Sequence, residues 1–560
     1  MSAFLSPSGW RLAVIVLAWL ATAACTDVST VPRWGQFETA FASTASTDNP
    51  FQDQSLLVTF TSPSKRAVTV RGFWDGGRIW RVRFSPDEPG VWTFLTHAVP
   101  DDDSGLQGRT GRFTVADRDP DDEGTVFERH GPVRVAASGT YLEHADGTPF
   151  FWLADTGWNA ALKATPDEWQ HYLDTRREQG FTAIQWVATQ WRAAPTGDRQ
   201  DLPAFSGHDR IVIEPVFFQR LDARVRALDR AGLLNVPVLL WAIGSGSDPA
   251  INPGYALPED QAIKLAQYMV ARWQGHSSAW LLAGDGDYRG QRADRWTRIG
   301  RAVFDHDTPA PVGMHPGGMQ WVLDEFADEA WLGFNGYQSG HGDDDRALRW
   351  LTSGPPARDW AKAPIRPFIN LEPPYEHHRA YQSREPIPAQ AVRRAIYWSL
   401  LDTPTAGVSY GGHGVWGWDD GSGPPVDHPD TGTPLPWREA LEMPAATEMG
   451  HLVDVFTAIG FERLRPAPDL LVEQPGTDRA SAFISVSASA ERDLLVAYTP
   501  EVPTVRLRAD AIAAGTPVTW INPRTGERTA ATALVEKNVM RFTAPGDEDW
   551  LLVASAQLAP

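Results

Sequence analysis

A single cysteine, Cys25, stands among 560 residues, so no disulfide can form within the chain. Basic residues are also scarce: 50 Lys and Arg against 70 Asp and Glu leave a formal net charge of −20. That balance argues against a nucleic-acid partner, which would call for a basic stripe, and none is visible. Long apolar runs are missing too. The longest, near the start, is shorter than the roughly 20 residues that cross a bilayer. Glu376-His377-His378 has no HExxH or HxH spacing around it, so neither a metal nor another cofactor is expected. Two glycine-rich matches are accidents of one segment. Gly407-Val408-Ser409-Tyr410-Gly411 fits a serine elbow, but a glycine-rich strand end follows it instead of a helix. Gly412 to Gly417 fits a dinucleotide fingerprint, yet WGWDDGSG follows where a helix should start.

What the chain does have is apolar and aromatic material. Its 42% hydrophobic and 11% aromatic content is enough to build cores, and its length suggests two to four domains. The 25 tryptophans exceed ordinary packing needs, and indole faces suit sugar rings. The opening MSAFLSPSGWRLAVIVLAWLATAACTD reads as an export signal over residues 1–25. Arg11 supplies the charge, Leu12 to Leu20 the apolar core, and Ala21 to Ala24 the small-residue cleavage zone. Cys25 just after it resembles a lipobox, with Thr22 where Leu is usual. Two outcomes stand: plain secretion, or a lipid on Cys25 that attaches the protein to a membrane. Either puts the protein outside the cytoplasm, whether periplasmic, on the outer membrane or secreted.

Three regions follow. After a polar linker around 40–50, the runs SLLVTF, AVTVRGFW, RIWRVRFSP and GVWTFLT predict an N-terminal β-sandwich over 31–117. The acidic DRDPDDEG (117–124) is a linker by composition. Over 131–459, strand-like and helix-like runs alternate. The predicted strands are 150–158, 181–191, 235–244, 279–287, 310–318, 330–341, 366–376 and 406–418. Eight strands mostly followed by helices give an α/β chain with a (β/α)8 TIM barrel. The tail, 460–560, returns to short β runs and reads as a small C-terminal β-sandwich.

Active sites of such barrels lie at the carboxyl ends of the strands. The predicted strand ends carry Asp155, Thr156 and Trp158; then Gln185, Trp186 and Gln190; then Trp241. His315 follows on the fifth, and Asn335, Tyr337, Gln338 and His341 on the sixth. Tyr375 and Glu376 belong to the seventh, and Tyr410, His413, Trp416 and Trp418 to the eighth. Acids and amides bond sugar hydroxyls and indoles stack on ring faces, so this rim reads as a saccharide site. Cleaving a glycosidic bond usually takes two flanking carboxyl groups. Strands four and seven face each other across the mouth and both end in acid: Asp285 or Asp287 in AWLLAGDGDY, and Glu372 in NLEPPYE. Asp285 and Asp287 are two apart, so alternation alone does not separate them.

The stretches FFWLADTGW, GFTAIQWV, AWLLAGD, MHPGG, FNGYQSGH, NLEPPYE and YGGHGVWGW, in that order, resemble the apiosidase-like glycoside hydrolases, family 140 and its relatives. GFWDGGRIWRVRFSPDEPGVWTF resembles the β-sandwich that precedes that barrel, and VTWINPRTGE the small collagen-binding-type domain that follows it. The resemblance implies an exported glycoside hydrolase with Asp285 as acid/base and Glu372 as nucleophile. It also implies a polysaccharide or oligosaccharide substrate, in the family centred on apiosyl linkages in pectin. Asp155, Trp158, Gln185, Trp241, Asp287, His315, Asn335, Gln338, His341, Tyr375, Glu376, His413 and Trp416 are the expected substrate contacts. The family's Gly-Gly-Asp is Ala283-Gly284-Asp285 here. A retaining reaction is the expected one. Two other readings are carried: a glycan-binding surface protein without chemistry, and a metal-dependent hydrolase.

Overall fold

The computed structural model describes residues 29–118, 124–243, 248, 251–305 and 310–558. The export signal over 1–25, with Cys25, and most of the acidic linker lie outside the described residues. Eight parallel strands form the central sheet: β1 Trp152–Thr156, β2 Ala183–Val187, β3 Leu234–Trp241, β4 Trp280–Gly286, β5 Val312–Pro316, β6 Asn335–Gln338, β7 Phe368–Glu372 and β8 Gly407–Tyr410. Their order is β5-β4-β3-β2-β1-β8-β7-β6, a ring open only between β5 and β6. There the Gly333 and Phe334 N–H groups both donate to the Val312 carbonyl, at 2.8 and 3.1 Å. Gly336 permits the approach: a Cβ there would sit 2.3 Å from the Met314 carbonyl oxygen. Each strand is shorter than its predicted run and falls inside it, except that β3 begins one residue earlier, at Leu234.

The helices follow the chain's own signals. Pro166–Glu178 starts at a Thr165–Glu168 capping box. Pro215–Ala231 stops at Gly232, which is left-handed at φ 70°. Glu259–Trp273, Gln291–Val303, Asp345–Ser353, Ala389–Leu401 and Pro444–Ile459 complete the outer layer. β5 departs from the pattern: an irregular loop over 317–334 stands where a helix would be.

Both flanks are β-rich. The N-terminal region pairs a five-stranded sheet (30–32, 110–116, 90–99, 55–61, 67–71) with a three-stranded one (37–42, 79–84, 73–74). They share one core, in which Phe37 stacks on Phe113 at 3.9 Å and Phe60 on Phe84 at 4.3 Å. The polar stretch around 40–50 is more than a linker. It opens inside the strand Phe37–Ala42, and Ser43 and Thr44 donate to the buried Asp103. The C-terminal region likewise packs a six-stranded sheet on a three-stranded one.

Arginines clamp both flanks to the barrel. Arg83 of the N-terminal sheet reaches Asp222 at 2.7 Å, and Arg272 joins that carboxylate at 2.8 Å and Asp75 at 2.8 Å. On the other side Arg393 makes two 2.8 Å bonds to Asp549 and one of 2.6 Å to Glu448.

Candidate active site

β4 is irregular where it matters. Its register against β5 shifts on both sides of Gly284, and Asp285 is left-handed at φ 52°, a costly state for a residue with a Cβ. The kink breaks the two-residue alternation that would have sent Asp285 and Asp287 the same way. Asp287 turns outward to Arg289 at 2.8 Å and Arg292 at 3.1 Å. Asp285 turns to the mouth, where Glu372 makes itself felt electrostatically. The acid left open by spacing is thus separated by backbone geometry.

Glu372 ends β7, opposite a register break at Tyr337/Gln338 and ahead of Pro373 and Pro374. One imidazole bonds a carboxylate oxygen and a second lies close to the other. His341 Nε2 lies 3.1 Å from Oε1, and His315 Nε2 lies 3.2 Å from Oε2. The backbone fixes both tautomers. The Tyr375 N–H donates to His341 Nδ1 at 3.2 Å, and the Asp285 N–H donates to His315 Nδ1 at 3.4 Å. An Nδ1 that accepts carries no proton, so each neutral ring holds its proton on Nε2, toward Glu372.

These surroundings drive the two carboxyls apart. Burial first, then the Glu372 charge, push Asp285 up to about 7, against a smaller pull from Arg192. Burial also works to raise Glu372, but His315 and His341 outweigh it and bring it down to about 2. Between those limits the pair holds one proton, and it sits on Asp285.

The other expected contacts divide into two groups. Trp158 donates to the Tyr375 hydroxyl at 2.8 Å and stands edge-on to His315 at 5.4 Å, and Tyr375 also bonds Glu372. Gln338 pairs with Glu372 in the strand register, and its buried Oε1 has no donor among the described residues. Trp241 packs on Trp191 at 4.4 Å, with its ring against the Gly284 position beside Asp285. Trp416 meets His428 at 4.8 Å. Trp158, Trp241 and Trp416 are each almost fully buried, so they pack around the site and expose almost no ring surface.

The rest are committed elsewhere. Asp155 faces the helix layer, fully buried, with Arg176 at 2.8 Å and the Tyr172 hydroxyl at 2.7 Å; it is a structural ion pair. Gln185 lies inside the barrel wall, with its amide spent on the Leu371 carbonyl and the Ser409 hydroxyl. Asn335 opens β6 beside Phe368, the amino end of the ring and not the mouth. Glu376 accepts from the Tyr410 hydroxyl at 2.8 Å and from the Ala445 N–H at 3.0 Å, capping the helix Pro444–Ile459. His413 is fully buried between the Gly432 carbonyl and the Trp416 N–H. Asp287 has its arginines. Among the further strand-end residues, Trp186 bonds Asn235, Gln190 ties Ala204 and Phe205, and Trp418 stacks on Trp437.

Several mouth residues escaped sequence reasoning. Arg192, held by Asp427 at 2.9 Å, sends its charge toward Asp285. His378 stacks on His341 at 4.2 Å and 24°, and Tyr381 meets the same ring edge-on at 5.5 Å. They sit on loops, where no periodicity marks them; WR, a few residues past the end of β2, was the one available signal for Arg192.

Comparison with known proteins agrees with this architecture. Residues 136–462 match the family described as "Apiosidase-like, catalytic domain". Residues 30–99 match a "Domain of unknown function (DUF5060)", and 466–555 a "Putative collagen-binding domain of a collagenase". No curated protein matches the chain. Among solved structures, one titled "Glycoside hydrolase" is 21% identical with a TM-score of 0.67, covering 78% of this chain and 100% of its own. A glycoside hydrolase family 5 structure from Bacteroides vulgatus is 20% identical with a TM-score of 0.67, covering 78% and 97%. A "putative glycoside hydrolase" from the same organism is 19% identical with a TM-score of 0.69, covering 94% and 99%.

Proposed function

The chain belongs to the apiosidase-like family of glycosidases, and from that premise we propose that Asp285 and Glu372 are its acid/base and its nucleophile. The observation that carries this is the opposite tuning of two carboxyls at one mouth: one kept protonated to near neutrality, one kept ionised. Asp285 gives its proton to the leaving oxygen as that bond to the anomeric carbon breaks. A Glu372 oxygen forms the new bond to that carbon, making a glycosyl ester. Asp285, now a carboxylate, takes a proton from water, which displaces Glu372 and releases the sugar. Neither half-reaction needs an outside oxidant or reductant.

The substrate is a carbohydrate. The free Gln338 oxygen and the exposed Tyr381 ring beside His341 support a ring-stacking, hydroxyl-binding site for a plant or bacterial polysaccharide, with pectin-type apiose-like linkages first in line. The opening residues support export, with Cys25 as the anchor if it is lipidated. The test is a glycan panel assayed with wild type beside Asp285→Asn, following the anomer released by NMR. Wild-type cleavage with retained configuration, lost in the variant, is expected. Inverted product would replace the ester by direct attack of water, and full activity in the variant would overturn the assignment.

A further inference from the structure

Sequence reasoning put His315 among the substrate contacts, yet its side chain is fully buried. No face of it is open to a sugar. Its three sides are already occupied. Nδ1 takes the Asp285 N–H at 3.4 Å, Nε2 stands 3.2 Å from Glu372 Oε2, and Trp158 closes the ring edge-on at 5.4 Å and 89°. Its Cα pairs with Gly284, inside the irregular stretch that leads into the left-handed Asp285. A residue with a Cβ holds φ 52° only where its surroundings insist on it. Here the imidazole that receives the Asp285 N–H is part of that insistence.

We propose that His315 is a positioning residue that ties Asp285 to Glu372 through one neutral imidazole, and that substrate never touches it. His341 is the internal control. It grips the other oxygen of Glu372 but has its own backbone donor in Tyr375 and, among the described residues, no bond to Asp285. The proposal rests on Asp285 and Glu372 being the working pair, so its test is read on the carboxyls themselves and needs no substrate.

The other groups facing the pair are Tyr288 beyond β4, Arg192 beyond β2, Tyr375 and Tyr381 beyond β7, and His428 beyond β8. All stay in place in the variants compared. Infrared difference titration of the full chain, with bands assigned by Glu372→Gln and Asp285→Asn, follows each carboxyl separately. His341→Met should raise the Glu372 titration by about one to three pH units and leave Asp285 where it was. His315→Met should raise Glu372 and also shift Asp285, whose backbone N–H loses its acceptor. His315→Gln, whose amide nitrogen can stand where Nε2 stood, should restore Glu372 but not Asp285. Thermal melts confirm that each variant is folded, and the Gln variant serves if the Met variant is not. If His315→Met moves Glu372 alone, or neither carboxyl, the coupling role is overturned. If both carboxyls move as stated yet no glycan is cleaved by wild type, the coupling stands and the glycosidase assignment is what failed.

Discussion

Two sets of buried carboxylates in this molecule have opposite company. At the seam between the N-terminal sheets and the barrel, Asp222 is enclosed by Arg83 and Arg272, with bonds of 2.7 to 2.9 Å. At the mouth, Asp285 and Glu372 face each other with imidazoles between and no guanidinium bonded to either side chain among the described residues. Guanidinium groups, always charged, commit a carboxylate to one state and one place. Imidazoles leave the charge adjustable. Burial raises Asp222 as it raises Asp285, but the arginines outweigh it and bring Asp222 down to about 2. The same side chain serves as a rivet in one place and as a proton store in the other.

The comparison is broken most sharply by removing one charge from each place. Glu372→Gln should lower turnover by about 10⁴-fold or more while the melting temperature stays within a few degrees. Asp222→Asn should do the reverse. It takes one of two carboxylates from each of two buried guanidinium groups, which keep Glu38 and Asp75, and should cost at most about 3–5 kcal/mol, read by denaturant unfolding, with kcat per folded molecule unchanged. Loss of stability in the first and of kcat in the second would erase the distinction.

Asp285→Asn comes next. Losing the proton donor should cost about 10²–10⁴-fold on natural glycosides and far less on aryl glycosides whose leaving group needs no proton. The same change should stabilise the fold. The folded protein holds the Asp285 proton to about 7, so the wild type loses stability as pH rises from about 4 through 7. A rise of about three pH units corresponds to at most roughly 4 kcal/mol, recovered in the amide variant above pH 7 and absent at pH 4. Unfolding at both pH values checks the sign.

The pH profile separates the two places by their limbs. On the proposed roles activity needs Asp285 protonated, so kcat/KM should fall as pH rises through about 7. It also needs Glu372 ionised, and that limb lies near 2, below the range where the fold survives untroubled. The seam responds at the acid end. Asp222 is depressed in the folded state, so its stabilisation is full above about 4 and drains away as pH falls toward about 2. A basic limb in activity paired with an acid limb in stability is the expected signature.

How much of this could be read beforehand follows from what a strand end conveys. Apolar runs located all eight barrel strands, and the rule that sites gather at their carboxyl ends brought Asp285, Glu372, His315, His341 and Gln338 into one neighbourhood. A run ending in acid gives a height on the barrel but not a face. Asp155 and Glu376 stand at the right height and point into the helix layer, to Arg176 and to the Ala445 N–H. Asn335 was misjudged in height, because the apolar residues before it belong to the loop that closes the ring at Val312. The stretch after β5 is a loop: PGGMQWVLDEF packs its aromatics, Trp321 and Phe326, without a helical stripe. The missed Arg192, His378 and Tyr381 are loop residues brought in by tertiary structure alone.

The smallest effect makes the finest test. Asp287 is one peptide from Gly286 and shares its sequence signature with the acid, yet the left-handed turn at Asp285 sends it to Arg289 and Arg292 at the surface. A pair that exposed is worth less than about 1 kcal/mol. Asp287→Asn should therefore keep kcat/KM within about twofold and shift stability by only a few tenths of a kcal/mol. Its modest effect should also shrink in high salt, because the charges it touches are solvated. A hundredfold loss of activity in this variant would mean that alternation had survived the kink. The proton donor would then be sought at Asp287, and the contrast between a riveted seam and an adjustable mouth would have to be redrawn around a surface carboxylate.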